Sequence, residues 1–195
     1  TLATVQLERD IQGNVTARSV EGLPQAASDE PQNGIAFNPD GQITALNGLD
    51  CRWDADGNLL SLGSAWQAAY DAEDRMVEIQ RGENGQTWQY NGSGQRVLST
   101  LNGEVCRNHF DPNGSLLFQT DQNGKVTAYY IYLDQRLVAA VIPEKGTFFY
   151  HFDPLGNTLS LSDEKGKVVQ GYNYSPFGRL SVSAENSPFP NPFTF

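Results

Sequence analysis

The sequence predicts an all-β chain, an antiparallel meander of short hairpin-linked strands that forms one curved sheet. Three observations carry that prediction: a turn motif that recurs at regular spacing, a second set of turn signals between its copies, and apolar residues in short alternating patches rather than at helical spacing. With 195 residues, 38% of them hydrophobic, the chain is long enough to bury a core, and its 19 glycines and 10 prolines suit many short strands.

The motif is an aromatic, then Asp, Asn or Ser, two variable positions, usually Gly, and a polar residue. Its copies read FNPDGQI from Phe37, WDADGNL from Trp53, YDAEDRM from Tyr70, YNGSGQR from Tyr90, FDPNGSL from Phe110, FDPLGNT from Phe152 and YSPFGRL from Tyr174. A fainter copy from Arg9 keeps the Asp and Gly without the aromatic, and another at Tyr132 is one residue short. Successive aromatics lie 16 to 22 residues apart, a period close to one hairpin.

Turn chemistry explains the template. Asp, Asn or Ser at the first position accepts a hydrogen bond from the backbone two residues on, Pro pre-sets the second position, and Gly takes the left-handed conformation at the fourth. Pro39, Pro112, Pro154 and Pro176 all occupy the second position, and Asp74 replaces the glycine as one of the few residues that tolerate that conformation.

Between these turns stand Asn84-Gly85, Asn102-Gly103, Asn123-Gly124, Lys145-Gly146 and Lys165-Gly166, read as the hairpins of the opposite edge, with Asp134-Gln135 supplying a turn in the one double gap. Strands of about six residues are left between turns, the usual length. The segments Thr127–Tyr132 and Gly146–Phe152 are dense in aromatic and β-branched residues. Aromatics at each turn are expected to stack as a ladder across neighbouring strands. Residues 24–34 and 183–192 break the pattern and are expected to be an exposed polar loop and an exposed tail.

Charge and composition exclude some functions. Thirteen basic against twenty-three acidic residues, a net charge of −10, disfavour nucleic acid as a partner. No run approaches the roughly 18 apolar residues of a membrane-crossing helix, so no membrane insertion by this segment is expected. The start has neither a basic leader nor an apolar signal core, and it opens without methionine in mid-pattern, which reads as a piece of a longer chain with any targeting signal outside it.

Chemistry-bearing residues are sparse. Cys51 and Cys106 are too few for a disulfide framework and read as two buried free thiols. With His109 and His151 they could be assembled into a zinc site, but only Cys106 and His109 are closely spaced, whereas zinc modules present two tight pairs. Asp54, Asp71, Asp111 and Asp153 could suggest paired carboxylates, yet they share one turn position, and catalytic pairs need distinct environments. Gly92-Ser93-Gly94 is a repeat turn, and no nucleophile elbow, metal-protease helix motif, phosphate loop or dinucleotide fingerprint is present. The reading is therefore a non-enzyme with no catalytic, cofactor-binding or metal residues and no cofactor.

These copies, YDAEDRMVEI and WDADGNLLSL above all, resemble the YD repeats of bacterial Rhs proteins, of the C component of insecticidal toxin complexes and of animal teneurins. More specific is Tyr150–Leu180, YHFDPLGNTLSLSDEKGKVVQGYNYSPFGRL, which is similar to the last repeats before the Rhs core, while the terminal NPFTF resembles the segment leading into it. On this likeness residues 1–36 are a weakly matching N-terminal repeat and loop, 37–182 the repeats, and 183–195 an irregular tail leading toward a core that lies outside the sequence.

The resemblance implies a non-catalytic wall segment of a β-cocoon that encapsulates the C-terminal toxin domain of a polymorphic toxin. Implied partners are flanking repeats of the parent chain, the enclosed toxin and secretion or delivery machinery. The implied location is secreted, delivered to a target cell or at the cell surface. A surface module that binds carbohydrate or protein through an exposed aromatic face is the alternative, and a hydrolase without a recognisable motif the third reading.

Overall fold

The computed structural model describes residues 4–9, 15–21, 34–175, 178–182 and 189–193, and every regular element among them is a strand. The expected all-β meander is what forms. Strands β1 (Thr4–Arg9) and β2 (Val15–Glu21) pair as a separate antiparallel hairpin. Sixteen further strands then make one antiparallel sheet whose spatial order is the chain order. The Gly of the faint copy from Arg9, residues 24–33 of the polar loop, Pro176 and residues 183–188 lie outside the described residues.

By contacts the chain divides into two units, Glu30–Thr127 and Ala128–Phe195 together with Thr1–Asp29. The first holds β3 (Ile35–Phe37), β4 (Ile43–Leu46), β5 (Leu49–Trp53), β6 (Leu59–Leu62), β7 (Trp66–Tyr70), β8 (Met76–Arg81), β9 (Asn84–Tyr90), β10 (Arg96–Leu101), β11 (Glu104–Phe110) and β12 (Leu116–Thr120). In the second run β13 (Val126–Leu133), β14 (Arg136–Ile142), β15 (Gly146–Phe152), β16 (Thr158–Ser162), β17 (Val168–Tyr174) and β18 (Leu180–Val182).

One hydrogen-bond pattern builds the repeat turn. At Asn38, Asp54, Asp71, Asn91, Asp111, Asp121, Asp153 and Asp163 the side-chain Oδ1 accepts the N–H two residues on. The same oxygen accepts the N–H four residues on. The backbone N–H of each of the eight donates to the carbonyl four residues on, which closes the loop. An oxygen with two lone pairs is therefore used twice, and this is why Asp and Asn dominate the position. At the fourth position Gly114 has φ 94° and Gly156 φ 92°, while Asp74 takes φ 58° in the copy without glycine.

Two of these turns correct the reading of the opposite edge. Asn123-Gly124 and Lys165-Gly166 are the last two positions of turns begun by Asp121 and Asp163, so the Asp-x-x-Gly device serves both edges. Asn84-Gly85 is not a turn: it lies inside β9, with Gln80 opposite Gly85 and Arg81 opposite Asn84. The reversal falls two residues earlier, where Gly82 supplies a positive φ of 58° and leaves Asn84-Gly85 to pair. Similarly Gly146 opens β15 and the turn before it uses Glu144 at φ 66°. Asn102-Gly103 and Asp134-Gln135 are two-residue turns as expected, both residues of each with positive φ.

Register follows from the turn. Each repeat aromatic lies opposite the residue six positions on: Phe37 with Ile43, Trp53 with Leu59, Tyr70 with Met76, Tyr90 with Arg96, Phe110 with Leu116, Phe152 with Thr158 and Tyr174 with Leu180. In six of these seven pairs the register shifts next to the aromatic, a bulge that absorbs the extra turn residue.

Burial differs between the units. Among the described residues of 34–127 only Ser61, Leu116 and Thr120 are buried. From 128 onward the core includes Tyr130, Ala140, Phe148, Tyr150, Leu161 and Tyr172, and all five residues of β16 are buried. The tail is not wholly exposed, because Phe189 is only 4% exposed and packs against Phe148 at 5.5 Å between ring centroids.

Candidate functional site

The aromatics at the turns do not act as the expected ladder of stacked rings. They stand on every second strand, about 10 Å apart at ordinary strand spacing, too far for direct stacking. Polar tips bridge the gap instead. Trp53 Nε1 donates to the Ile43 carbonyl at 2.7 Å, the Tyr70 hydroxyl to Leu59 at 3.2 Å, Tyr90 to Met76 at 2.9 Å and Tyr174 to Thr158 at 2.9 Å. In each case the acceptor is the residue paired with the preceding aromatic, so the aromatic of one repeat fastens the bulge of the repeat before it. Side chains at the fifth turn position reach forward: Asn58 Nδ2 donates to Asp74 Oδ1 at 2.8 Å. Arg75 pairs with Asp71 at 2.7 Å and its guanidinium lies 4.8 Å from the centroid of the Tyr90 ring.

The turn aspartates act as hydrogen-bond acceptors within their own turns. The N–H of Asn58 holds the Asp54 carboxyl below the usual carboxylate range, and the Arg75 guanidinium does the same to Asp71. Each of the four aspartates singled out from sequence, Asp54, Asp71, Asp111 and Asp153, makes the turn bonds given above.

One contact looks chemical at first sight: His151 Nε2 lies 2.8 Å from Ser162 Oγ. Ser162 is buried, however, and the same contact occurs 42 residues earlier, where His109 Nε2 lies 3.2 Å from Thr120 Oγ1. A pair that recurs at the same register two repeats apart belongs to the repeat. His109 also stacks on Phe118 at 4.2 Å, and burial lowers the pKa of His151.

The cysteines are free and half-buried, not fully buried as expected, because the single-layer sheet of 34–127 leaves their strands partly open. Burial pushes the Cys106 thiol up, opposed by a hydrogen bond with Ser99. The four residues weighed as a zinc site are not brought together, and no group of three potential metal ligands occurs among the described residues. Nor is any helix there long and apolar enough to cross a membrane.

Two shallow grooves lie beside Arg136 and Leu137. One, of about 580 Å³, is bordered by Leu133, Asp134 and His151; the other, of about 370 Å³, by Tyr132, Thr158 and Phe193. Arg136 rests 5.4 Å from the Phe152 ring centroid.

Sequence reasoning missed the contacts of the tail, whose Pro192 and Phe193 border the second groove. Asn191 Oδ1 accepts from the Tyr150 hydroxyl at 2.7 Å and from the Phe193 N–H at 3.1 Å. Its Nδ2 donates to the Tyr172 hydroxyl at 3.0 Å and to the Phe193 carbonyl at 2.9 Å. That carbonyl also accepts from Thr158 at 2.8 Å. The Phe193 ring meets Tyr130 edge-on at 5.1 Å and Tyr150 at 6.2 Å. Burial, with neighbouring tyrosines, pushes the Tyr150 hydroxyl far above its ordinary range and keeps it a neutral donor. The available signal was two phenylalanines flanking a Pro-Asn-Pro run, which reads as a loop.

No family model matches the chain. It is 31% identical over 119 residues to the tRNA3(Ser)-specific nuclease WapA of Bacillus spizizenii and 32% identical over 103 residues to the tRNA nuclease WapA of Bacillus subtilis. These matches take in 59% and 51% of this chain but 5% and 4% of those proteins, so the chain spans about a twentieth of the length of the curated relatives it matches. Among solved structures it is similar to a chain of the Photorhabdus luminescens Tc holotoxin pore and to one of TcdB2-TccC3. Both have a TM-score of 0.61, at 13% and 12% identity, and the match covers 95% of this chain and 14% of each of theirs. At that identity the likeness is one of fold. The Asp-x-x-Gly turn repeated along one antiparallel sheet, with these likenesses in sequence and in fold, supports the resemblance of the chain to the YD/Rhs-repeat proteins.

Proposed function

We propose that the chain is a non-catalytic wall segment of a YD/Rhs shell that encloses the C-terminal toxin domain of its parent protein. The observation that carries this reading is the meander itself: sixteen strands in chain order, spent on turns and inter-repeat ties. An enzyme would need a nucleophile, base or ligand set held apart from the repeat, whereas the aspartates and the histidine–hydroxyl pairs are parts of it. The relatives called tRNA nucleases match over a twentieth of their length, which supports a nuclease or other toxin domain elsewhere in such proteins and the repeat role for this part.

In this reading residues 37–182 are the wall, 1–36 a weaker N-terminal repeat and loop, and 183–195 the passage toward the family core. The partners are the flanking repeats, the enclosed toxin and a delivery machine, and the parent is secreted or delivered to a target cell. The end strands of the sheet, β3 and β18, which pair on one side only among the described residues, support the first of these, since edge strands invite continuation by the next repeat. Deleting one repeat, Phe110 to Ile131, from the parent protein should raise protease access to the enclosed domain. Protection unchanged by the deletion would contradict the wall.

A second reading has one observation in its favour. Ile131 and Phe149 flank Ala139 on one face of the sheet and are 46% and 42% exposed, a partly open apolar patch of the kind binding modules use. Saturable binding on a glycan array would favour that surface module.

A further inference from the structure

The contact between residues 189–193 and the sheet has the anatomy of a bound ligand rather than of a strand. Strands β13 to β17 complete their hydrogen-bond ladders with one another. Residues 189–193 join none of those ladders and are held by side chains. Pro190 and Pro192 bracket Asn191, fix φ at two positions and bias the residue before each toward an extended backbone. Such a segment loses little entropy on docking, the property that lets extended Pro-rich peptides be recognised in aromatic grooves.

The recognition is polar at its centre and aromatic at both ends. Asn191 makes all four of its hydrogen bonds, two of them with tyrosine hydroxyls from different strands, Tyr150 on β15 and Tyr172 on β17. Phe189 and Phe193 fill the flanking positions against Phe148 and against Tyr130 and Tyr150. A purely apolar cover would need only the phenylalanines. The paired hydroxyls read the amide of Asn, which Ala or Leu cannot imitate, and a buried hydroxyl left without its partner is penalised.

We propose that the tyrosine row Tyr130, Tyr150 and Tyr172, with Thr158, is a peptide-recognition site for an extended Phe-Pro-Asn-Pro-Phe segment, filled in cis by residues 189–193. The segment is a detachable strap. When it is released, the same site takes a peptide of that chemistry in trans. This holds whether or not the repeats enclose a cargo, so the two readings fail separately.

The test uses the whole 195-residue chain. Asn191→Ala and, as a milder variant, Tyr172→Phe are nicked with subtilisin, the cuts within 189–193 mapped by mass, and each protein titrated with a fluorescent Phe-Pro-Asn-Pro-Phe peptide. Losing two or more neutral hydrogen bonds should raise the nicking rate of Asn191→Ala about tenfold or more with the far-ultraviolet strand spectrum retained. Tyr172→Phe, which deletes one hydroxyl, should give a smaller rise and decides the matter if Asn191→Ala does not fold. The peptide should bind the strap-released variant saturably and about tenfold more tightly than a version with Ala in place of Asn. Wild-type nicking rates in the folded variants, no peptide binding to Asn191→Ala, or equal binding of the Asn and Ala peptides by Asn191→Ala would each overturn the proposal.

Discussion

Residues 34–127 and 128–193 are built from the same turn and the same antiparallel pairing, yet only the second has a substantial core. In the first, the side chains of Trp53, Tyr70, Ile79, Trp88 and Tyr90 are half-buried, and Leu116 is the one buried hydrophobic residue among those described. In the second, Leu161 and Tyr172 are 0% and 1% exposed. The difference teaches that the repeat turn specifies strand order and register, while burial comes from what is laid over the sheet. A lone sheet leaves two faces half open, and residues 189–193 supply cover to one of them.

Core truncation should separate the two regions most. Leu161→Ala should destabilise its unit by about 2–5 kcal/mol, the range for a fully buried leucine, whereas the half-buried Ile79→Ala should cost about half as much or less. Denaturant midpoints read by fluorescence check both, and equal losses would dissolve the distinction.

Turn glycines should instead matter equally in the two regions. Gly114→Val and Gly156→Val force a β-branched residue into positive φ, costing about 1–3 kcal/mol each. Gly156 has nothing within 4 Å of the added Cβ, so its penalty would be conformational rather than steric. Unchanged midpoints in both variants would contradict the turn geometry.

A smaller effect is expected from the inter-repeat ties. Tyr90→Phe removes the bond to the Met76 carbonyl and should cost about 0.5–1.5 kcal/mol, in contrast to Leu155→Ala at a side chain that is 86% exposed. If the two substitutions prove equal in thermal melts, the tie is not a source of stability.

The smallest effect is one of pH. Burial depresses His151 below its ordinary 6.5, so the unfolded chain takes up the proton first. Its contribution is intact above about pH 6.5 and falls as the pH drops from there through the folded value. His151→Gln should flatten that part of the acid limb, and a variant as pH-sensitive as the wild type would remove His151 from the account.

Much of this was legible in the sequence because the turn is a local device. Asp111 to Gly114 carries its own hydrogen bonds, and any copy can be read without knowing its neighbours. Asn123-Gly124 and Lys165-Gly166 read as two-residue turns because the residue before glycine is the stronger local signal, whereas the hydrogen bonds are borne by the first turn positions, Asp121 and Asp163. Asn84-Gly85 misled because Gly82 competes for the same reversal two residues earlier. The tyrosine ties and the Asn191 contacts were not legible at all. They join residues 10 to 41 positions apart, and which carbonyl or hydroxyl lies opposite depends on a register shared by several strands. The same holds for the candidate site, where a Pro-Asn-Pro run reads as a loop until the face beneath it is seen.

Hydrogen exchange followed by mass spectrometry on the intact chain tests the central claim most directly, because it reads strand stability region by region. Backbone amides of β15, β16 and β17, beneath the buried core, should exchange at least about a hundredfold more slowly than those of β7, β8 and β9, which have the same ladders without the cover. Equal protection in the two sets would mean that turns and ladders alone set the stability, and would contradict the account.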